Sequence, residues 1–359
     1  DFHDKGDRHI ALRPEGTAGV VRAYVENKLY GPEYPKPYKV YYMGPMFRYE
    51  RPQSGRQREF HQIGVEALNN ESPQIDVEVI AMAMQLFKRF GVPNVKLTIN
   101  TLGDKQVRED YREALINFLK PHYDELSSDS QERMYRNPLR VLDSKDAGDQ
   151  KIVAQAPSIL DYLDEESQNY FDQVQSLLRE LGIDYEIDTN MVRGLDYYNH
   201  TIFEIMSDSP VFGGGYTTVC AGGRYNGLIS QLGGPEEGGI GFGMGVERLM
   251  LLLQEENPEF APQDQLDVFF ASANEDGDNL AFKILNQIRD KGVVADKDYS
   301  GVKVGKQIKE AFRRNAKYFA VFGEREVDEG QFQLKNAATK DTVDVKIADF
   351  VAEPTKYLR

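Results

Sequence analysis

The stretch that decides the fold is Met43-Gly-Pro-Met-Phe-Arg-Tyr-Glu-Arg-Pro-Gln-Ser-Gly-Arg-Gln-Arg-Glu-Phe-His-Gln62, which is followed closely by Gly64-Val-Glu66. Its flanks, 38–42 and 60–66, alternate as two antiparallel strands do, and Arg51-Pro-Gln-Ser-Gly55 supplies the turn residues of a long hairpin. This alternation predicts that one sheet face carries Arg48, Glu50, Gln62 and Glu66. Because a buried charge is costly unless it is paired, the face is predicted to bind a polar, charged ligand.

Composition predicts a soluble, globular protein of two or three domains. The 359 residues exceed one typical core, and 28% charged with 40% hydrophobic residues is ordinary for folded proteins. No apolar run matches a bilayer span and no basic-then-apolar leader opens the chain, so we expect a cytoplasmic enzyme with no membrane partner. Cys220 is the only cysteine, which excludes internal disulfides and a cysteine-based zinc site. The net charge of −15 restricts nucleic-acid contact to a local surface.

The pattern along the chain predicts a divided catalytic domain and a separate C-terminal domain. Residues 1–104 and 184–256 mix strands with helices, whereas 105–183 carries charged amphipathic helices and is interpreted as a helical insertion domain. Residues 257–264 contain two prolines and are predicted to form a linker, and 266–359 alternates strands and helices in the βαβ manner. The predicted helices are 16–26, 73–90, 110–119, 130–134, 166–181, 246–255, 279–291 and 305–315. The predicted strands beyond the hairpin are 95–100, 184–187, 201–205, 216–220, 266–271, 292–296 and 318–322.

Four further clusters each have an ordinary structural explanation when taken alone. In Leu12-Arg-Pro-Glu-Gly-Thr17, the carboxylate and hydroxyl could simply cap the next helix. The segment 191–200 sets an arginine, an aspartate and two tyrosines around a glycine, and tyrosine pairs are commonly core contacts. The glycines of segment 221–227 allow either a close approach of the backbone to a bulky group or a tight turn. Glycines alternate along 239–245, which leaves one strand face flat for a planar ring, and Arg248 follows in the first turn of a helix, where an anion is favoured.

Taken together, the clusters are suited to a nucleoside triphosphate. They supply a flat glycine strand, carboxylates without a His/Cys metal set, and three separate arginines, Arg48, Arg193 and Arg248. We therefore predict no protein-bound metal. The glycine order at 239–245 differs from the dinucleotide fingerprint, and Gly301-Val-Lys-Val-Gly-Lys-Gln307 lacks the P-loop spacing. Guanidinium groups, rather than a lysine-bearing loop, are predicted to hold the phosphates.

These segments resemble class II aminoacyl-tRNA synthetases and, among them, the histidyl-tRNA synthetase family. Residues 47–60 resemble the second signature motif of the class and 241–248 its third, while 12–17, 192–198 and 222–225 resemble segments peculiar to the family. The resemblance implies an α+β fold, with an antiparallel-sheet catalytic domain, a helical insertion and a C-terminal α/β anticodon-binding domain. It also implies a homodimer through a first motif that we expect before Asp1, because residues 1–13 look like a hairpin and not like the start of a domain.

The resemblance implies that the protein ligates L-histidine to histidine tRNA, using ATP with Mg²⁺ as the substrate complex. Arg48, Arg193 and Arg248 are the implied catalytic residues: Arg48 grips the α-phosphate, Arg248 holds the γ-phosphate, and Arg193 approaches the α-phosphate where other class II enzymes place a metal ion. Phe60 is implied to stack on adenine. The implied ATP-binding set is Arg48, Glu50, Arg56, Phe60, Arg193 and Arg248.

For the amino acid, the resemblance assigns one group of residues to each end of histidine. Glu15, Thr17 and Gln62 are implied to bind the amino end, and Glu66 with Tyr198 the imidazole. Tyr225 is expected to line the same pocket. A carboxylate and a phenol that would otherwise lose their hydrogen bonds reject apolar amino acids by roughly 10⁴-fold or more.

Two surfaces are candidates for tRNA. Arg51 and Gln53 in the hairpin loop are implied to touch the acceptor end, although a solvated hairpin tip is the alternative interpretation. In the C-terminal domain, six basic residues gather around one predicted helix with only Glu310 opposing them: Lys303, Lys306, Lys309, Arg313, Arg314 and Lys317. A solvated face usually explains such a run, but in an acidic protein a local basic stripe is what phosphate contact requires.

Two other classes of protein share parts of this pattern. A synthetase-like regulatory subunit of ATP phosphoribosyltransferase has the same core, but it should lack the C-terminal domain and have eroded arginines. A synthetase for threonine, proline or glycine would share the anticodon domain, and the combination of Glu66 with Tyr198 disfavours it.

Overall fold

The computed structural model describes residues 1–257 and 265–358, and the chain divides into two compact units, 1–258 and 259–359. Apart from its first residue, the predicted linker at 257–264 lies outside the described residues. No helix in the described part of the chain is long and apolar enough to cross a membrane.

The first unit is built on a seven-stranded sheet in the order β3-β4-β9-β8-β7-β5-β6. All neighbouring strands are antiparallel except β5 and β6, which are parallel. A separate two-stranded hairpin, β1 and β2, confirms the turn predicted near the start of the chain. The strands are β1 (Phe2–His3), β2 (His9–Ile10), β3 (Tyr38–Phe47), β4 (Glu59–Leu68), β5 (Lys96–Thr101), β6 (Glu186–Ile187), β7 (Asn199–Ser207), β8 (Thr217–Arg224) and β9 (Gly239–Gly245).

The long hairpin predicted from 38–66 is confirmed by β3 and β4, which pair from Tyr38 with Leu68 to Phe47 with Glu59. One expectation about it was wrong. Because β3 ends at Phe47, Arg48 and Glu50 lie beyond the strand, and alternation does not place them on the same face as Gln62 and Glu66. The loop conformation, not the strand period, sets the direction of these two side chains.

Helices cover the sheet because their apolar faces pack against it. Helix α2 (Pro73–Arg89) packs against α7 (Glu165–Glu180), and α9 (Val246–Glu256) lies beside β4. Their buried side chains form one core with the strands, including Phe87, Phe171, Val174, Phe203, Phe242 and Leu252. Helix α1 (Thr17–Glu26) contributes Val21 and Tyr24 to a second core. A short helix, α8 (Leu228–Gln231), follows β8.

Residues 105–153 form a compact group of short helices, called here the helical segment. It contains α3 (Lys105–Leu119), a 3₁₀ helix at Lys120–Glu125, α4 (Ser128–Arg136), α5 (Leu139–Leu142) and α6 (Ala147–Val153). Asp104, Ser127 and Asp146 cap helix N-termini through their side chains, which explains why the chain breaks into short helices there. Helix α7 lies instead in the core under the sheet. An insertion domain with bounds 105–183 stays a prediction.

The second unit has a five-stranded sheet in the order β11-β10-β12-β13-β14. Strands β11 (Ala295–Lys297), β10 (Val268–Ser272) and β12 (Tyr318–Phe322) are parallel, which confirms the predicted βαβ pattern. The sequence reading missed an antiparallel extension and two short helices: β13 (Gln331–Asn336), β14 (Thr342–Lys346), α12 (Glu324–Glu329) and α13 (Ile347–Ala352). The remaining helices are α10 (Glu275–Arg289) and α11 (Val304–Arg313).

Candidate active site

One cavity of about 940 Å³ in the first unit gathers most of the predicted site residues. Its walls come from the β3–β4 hairpin, strands β7 to β9, the residues before β7, and the helical segment. The predicted residues that line it are Glu15, Thr17, Arg48, Glu50, Gln53, Arg56, Phe60, Gln62, Arg193, Tyr198 and Arg248. Three predicted residues do not line it: Arg51, Glu66 and Tyr225. Arg51 is exposed on the hairpin loop.

At one end of the cavity, arginines and an aromatic ring lie side by side. The Nε of Arg48 donates to the carbonyl of Pro14 at 2.9 Å, and its guanidinium carbon lies 4.9 Å from the centre of the Phe60 ring. Glu50 forms an ion pair with Arg56, whose Nε is 3.2 Å from Glu50 Oε2. A stacked guanidinium keeps its in-plane N–H groups free to bind anions.

Arg248 joins this end from the first turn of α9. Its Nε donates to the carbonyl of Gly55 at 2.8 Å, and its Nη1 donates to the carbonyl of Thr218. Burial lowers the pKa of Arg248, and the charges of Arg56 and Arg48 lower it further, while Glu50 raises it. These influences show that several guanidinium charges share one region, which attracts a polyanion.

Arg193 reaches the cavity from the loop before β7. It is paired with Glu204, which also accepts a hydrogen bond from Thr218 Oγ1 at 2.6 Å. The Nε of Arg193 is buried and has no hydrogen-bond partner among the described residues. Sequence reasoning missed Glu204, although a carboxylate among the apolar residues of β7 was an available signal.

Glu15 and Thr17 sit at the start of α1, directly after Pro14, whose carbonyl accepts from Arg48. The Glu15 carboxylate accepts from the backbone N–H of Thr17 at 2.6 Å and of Ala18 at 3.1 Å, so the helix-capping interpretation is correct for Glu15. It is wrong for Thr17, whose hydroxyl donates to Glu66. The same residues line the cavity, and Tyr197 Oη lies 3.5 Å from Glu15 Oε2. Capping and ligand contact are therefore compatible roles for Glu15.

Glu66 lies beneath the cavity, not in its wall. It accepts hydrogen bonds from Thr17 Oγ1 at 2.7 Å and from Tyr225 Oη at 2.5 Å, and both Glu66 and Tyr225 are buried. Burial raises the pKa of Glu66 to about 8, which the hydrogen bonds from Tyr225 and Thr17 only partly oppose. Glu66 and Tyr225 do not line the cavity, and their contact with histidine stays a prediction.

The glycines of β9 leave space for side chains of the neighbouring strand. A Cβ atom on Gly241 would lie 1.8 Å from the Glu66 carboxylate, and one on Gly243 would lie 3.0 Å from Gln62 Nε2. Two of the alternating glycines thus admit side chains from β4, which differs from the expected flat surface for a ring. Gly243 and Gly245 still line the cavity.

Two tyrosines that the sequence reading did not select also line the cavity, Tyr42 and Tyr197. Tyr42 pairs with Gly64 across β3 and β4, and a Cβ atom on Gly64 would lie 2.0 Å from the Tyr42 ring. Burial raises the pKa of both phenols well above the usual range. A tyrosine directly opposite a glycine on the ligand-binding face was the signal for Tyr42.

The basic residues of the second unit are more often paired than expected. Arg313 pairs with Glu310 as anticipated, but Arg314 also pairs with Asp296 and Lys317 with Asp267. The expectation of a single opposing carboxylate was wrong, because β11 and the start of β10 supply two more. In the described part of this unit, Lys303, Lys306 and Lys309 are exposed and form no ion pair.

The acidic, histidine and cysteine side chains of the described residues form no group of three or more arranged to hold a metal ion.

The fold and the site define a class II aminoacyl-tRNA synthetase: an antiparallel sheet carries the arginine-lined cavity, and a separate α/β unit follows it. Two family models match the chain, Histidyl-tRNA synthetase over residues 1–249 and Anticodon binding domain over 267–356. The chain belongs to the histidyl-tRNA synthetase family, and its activity class is therefore that of an aminoacyl-tRNA ligase.

Individual relatives agree with that assignment. The chain is 59% identical to a histidine–tRNA ligase of Lactiplantibacillus plantarum, over 100% of this chain and 84% of the relative. It is 58% identical to one of Limosilactobacillus fermentum, over 98% of this chain and 82% of the relative. The crystal structure of apo S. aureus histidyl-tRNA synthetase matches with a TM-score of 0.74 at 44% identity, covering 97% of this chain and 84% of that one.

Proposed function

We propose that this chain is a histidine–tRNA ligase that activates L-histidine with ATP and transfers it to the 3′ end of histidine tRNA. The observation that carries the proposal is that one cavity holds two chemically different sets of side chains. Arg48, Arg56, Arg193 and Arg248 line it, together with carboxylate, amide and phenol groups. A polyanion and an amino acid can therefore meet inside it.

In the first step, a carboxylate oxygen of histidine attacks the α-phosphorus of ATP and pyrophosphate leaves, giving histidyl-adenylate. Arg48 and Arg193 are assigned to the α-phosphate, where negative charge grows, and Arg248 with Arg56 to the departing phosphates. Phe60 is assigned to the adenine ring and Glu50 to its amino group. Mg²⁺ enters with ATP as part of the substrate. Positioning and charge neutralisation carry the rate, since no side chain acts as a covalent nucleophile.

Histidine is assigned to the end near α1. Glu15, Thr17 and Gln62 are assigned to the ammonium group, and Tyr198 to the imidazole. Glu66 and Tyr225 form the layer below, where they orient the Thr17 hydroxyl. Glu66 becomes available to the ring N–H when Thr17 or Tyr225 releases its hydrogen bond, so it stays in the proposed histidine site.

In the second step, the terminal ribose hydroxyl of tRNA attacks the acyl carbon and releases AMP. Arg51 and Gln53 of the hairpin loop are assigned to the acceptor end, and the exposed lysines of α11 to the anticodon end. We propose that the protein acts in the cytoplasm as a homodimer. The homodimer is supported by the edge of the sheet at β3, where Tyr41 and Met43 are exposed.

Amino-acid-dependent pyrophosphate exchange tests the proposal. We expect exchange with L-histidine, and none with threonine, proline or glycine at the same concentration. Exchange with one of those three would identify a sibling synthetase. No exchange with any amino acid, together with binding to an ATP phosphoribosyltransferase catalytic subunit, would identify a regulatory protein and overturn the proposal.

A further inference from the structure

The cavity depends on a loop that has little regular structure of its own. Residues 192–198, called here the Arg193 loop, contain neither helix nor strand and lead directly into β7. Arg193, Tyr197 and Tyr198 all line the cavity from this loop. A misplacement of about 1 Å can cost roughly 100-fold in rate, so such a loop must be held by other parts of the chain.

Three side chains of the helical segment hold it through hydrogen bonds. Arg140 Nη2 donates to the carbonyl of Gly194, directly after Arg193. Asn137 Nδ2 donates to the carboxylate of Asp196 at 2.8 Å. Arg108 Nη1 donates to the carbonyl of Tyr198 at 2.8 Å, and its Nη2 donates to the carbonyl of Asp196 at 3.3 Å.

Apolar packing reinforces these hydrogen bonds. Val192, Leu195 and Tyr197 pack, partly buried, against a core that includes Val141 and Leu142 of α5. Residues of the helical segment and of the turns after it also form one wall of the cavity, including Arg140, Ser144 and Val153. The loop and the helical segment therefore share both a core and the cavity surface.

We propose that the helical segment is the positioning element of the Arg193 loop. Arg140 fixes the end that carries Arg193, Asn137 fixes the middle of the loop at Asp196, and Arg108 fixes the end that carries Tyr198. The three are positioning residues, because the groups through which they act belong to the loop. The inference rests on the proposed function, which gives Arg193 the α-phosphate and Tyr198 the imidazole.

Variants that release the two ends of the loop should affect different kinetic constants. In Arg140→Ala, histidine-dependent exchange should lose about 10- to 100-fold in kcat with little change in the KM for histidine, because Arg193 acts in the transition state. In Arg108→Gln, the KM for histidine should rise about tenfold with a smaller loss in kcat, because Tyr198 contacts the amino acid in the ground state. A general loss of structure would not lower mainly kcat in one variant and raise mainly the KM for histidine in the other.

A double-mutant cycle distinguishes positioning from other roles. When Arg193 is already alanine, adding Arg140→Ala should cost less than about twofold in kcat, since the group that Arg140 positions is gone. Arg140→Lys, which keeps one N–H donor for the Gly194 carbonyl, should recover most of the single-variant loss. Losses that multiply would show that Arg140 acts independently of Arg193 and would overturn the inference.

Arg136→Ala is the matched control, because Arg136 precedes Asn137 but bonds to Glu132 on its own helix. It should keep wild-type kinetics, and thermal unfolding of each variant should show that the fold is retained. If the wild type catalyses exchange and the kinetics of Arg140→Ala and Arg108→Gln are unchanged, the positioning role is refuted and the proposed function stands. Absence of histidine-dependent exchange in the wild type would instead refute the proposed function.

Discussion

The layer beneath the cavity and the interior of the helical segment each hold a fully buried carboxylate, Glu66 and Asp149, with opposite consequences. Burial raises the pKa of Glu66 to about 8, and among the described residues only Thr17 and Tyr225 donate to it and oppose that rise. Burial also opposes ionisation of Asp149, but four donors from Ser127, Ser130 and Ser144 outweigh it and hold its pKa at about 2.

The difference teaches where a ligand belongs. In the helical segment both oxygens of the buried carboxylate accept hydrogen bonds from the protein, four in all, which stabilises the fold. At the cavity, Glu66 has few donors and the buried Nε of Arg193 has no partner among the described residues. A buried polar group without a partner costs stability, so Arg193, which lines the cavity, is a group that a substrate can satisfy.

The strongest test of this comparison removes Arg193. Arg193→Ala should lower kcat of histidine-dependent exchange by about 10² to 10³, or roughly 3–4 kcal/mol, because a preorganised cation at the developing charge is lost. The free energy of unfolding should also fall, because Arg193→Ala leaves the largely buried Glu204 carboxylate without its cation, so kcat is compared on folded protein. Arg193→Lys, which keeps a charge without the planar fork, should recover part of the rate. A loss confined to the KM for ATP would contradict the transition-state role.

Asp149 should show the reverse behaviour. Asp149→Asn leaves serine donors without an ionised acceptor and should lower the free energy of unfolding by about 2 kcal/mol, with kcat of the folded enzyme within about twofold. Because its folded pKa is depressed, its stabilisation is present above pH 4 or so and is lost as pH falls towards 2. Urea unfolding at neutral pH measures the difference, and a kcat loss larger than the stability loss would break the comparison.

The pH dependence of stability that comes from Glu66 should have the opposite sign to that from Asp149. Between the usual glutamate pKa of 4.5 and the folded-state pKa of about 8, the folded chain holds a proton that the unfolded chain has released. The free energy of unfolding of the ligand-free protein should therefore fall as pH rises through this window, by at most about 1.4 kcal/mol per pH unit. Glu66→Gln should remove this contribution, so its stability relative to wild type should rise with pH. A constant difference would show that Glu66 is ionised throughout.

The sequence predicted the parts of the molecule whose physics is local. The hairpin of β3 and β4, the βαβ order of the second unit and the convergence of Arg48, Arg193 and Arg248 follow from alternation, turn residues and motif resemblance. Features that depend on contacts between distant strands were missed or misplaced. Tyr42 enters the cavity because Gly64 faces it, and Glu66 turns away from the cavity because Gly241 leaves space across the sheet.

Ion pairing in the second unit shows the same limit. The basic run on α11 is visible in the sequence, whereas Asp267 and Asp296, which neutralise Lys317 and Arg314, come from other strands. Only the folded chain distinguishes a paired cation from one that is free to bind a phosphate. A sequence-based count of basic residues therefore overestimates the charge that this surface presents.

The smallest expected effect compares free and paired cations on α11. Lys306 is exposed, and within the described part of the second unit it forms no ion pair. Lys306→Ala should weaken histidine tRNA binding and reduce the slope of log affinity against log salt by about 0.7 to 0.9, because one fewer counterion is released. The double variant Glu310→Gln, Arg313→Gln has the same net charge as wild type and removes an existing pair. Its slope should match wild type, and equal slopes for all three proteins would mean that Lys306 does not contact phosphate.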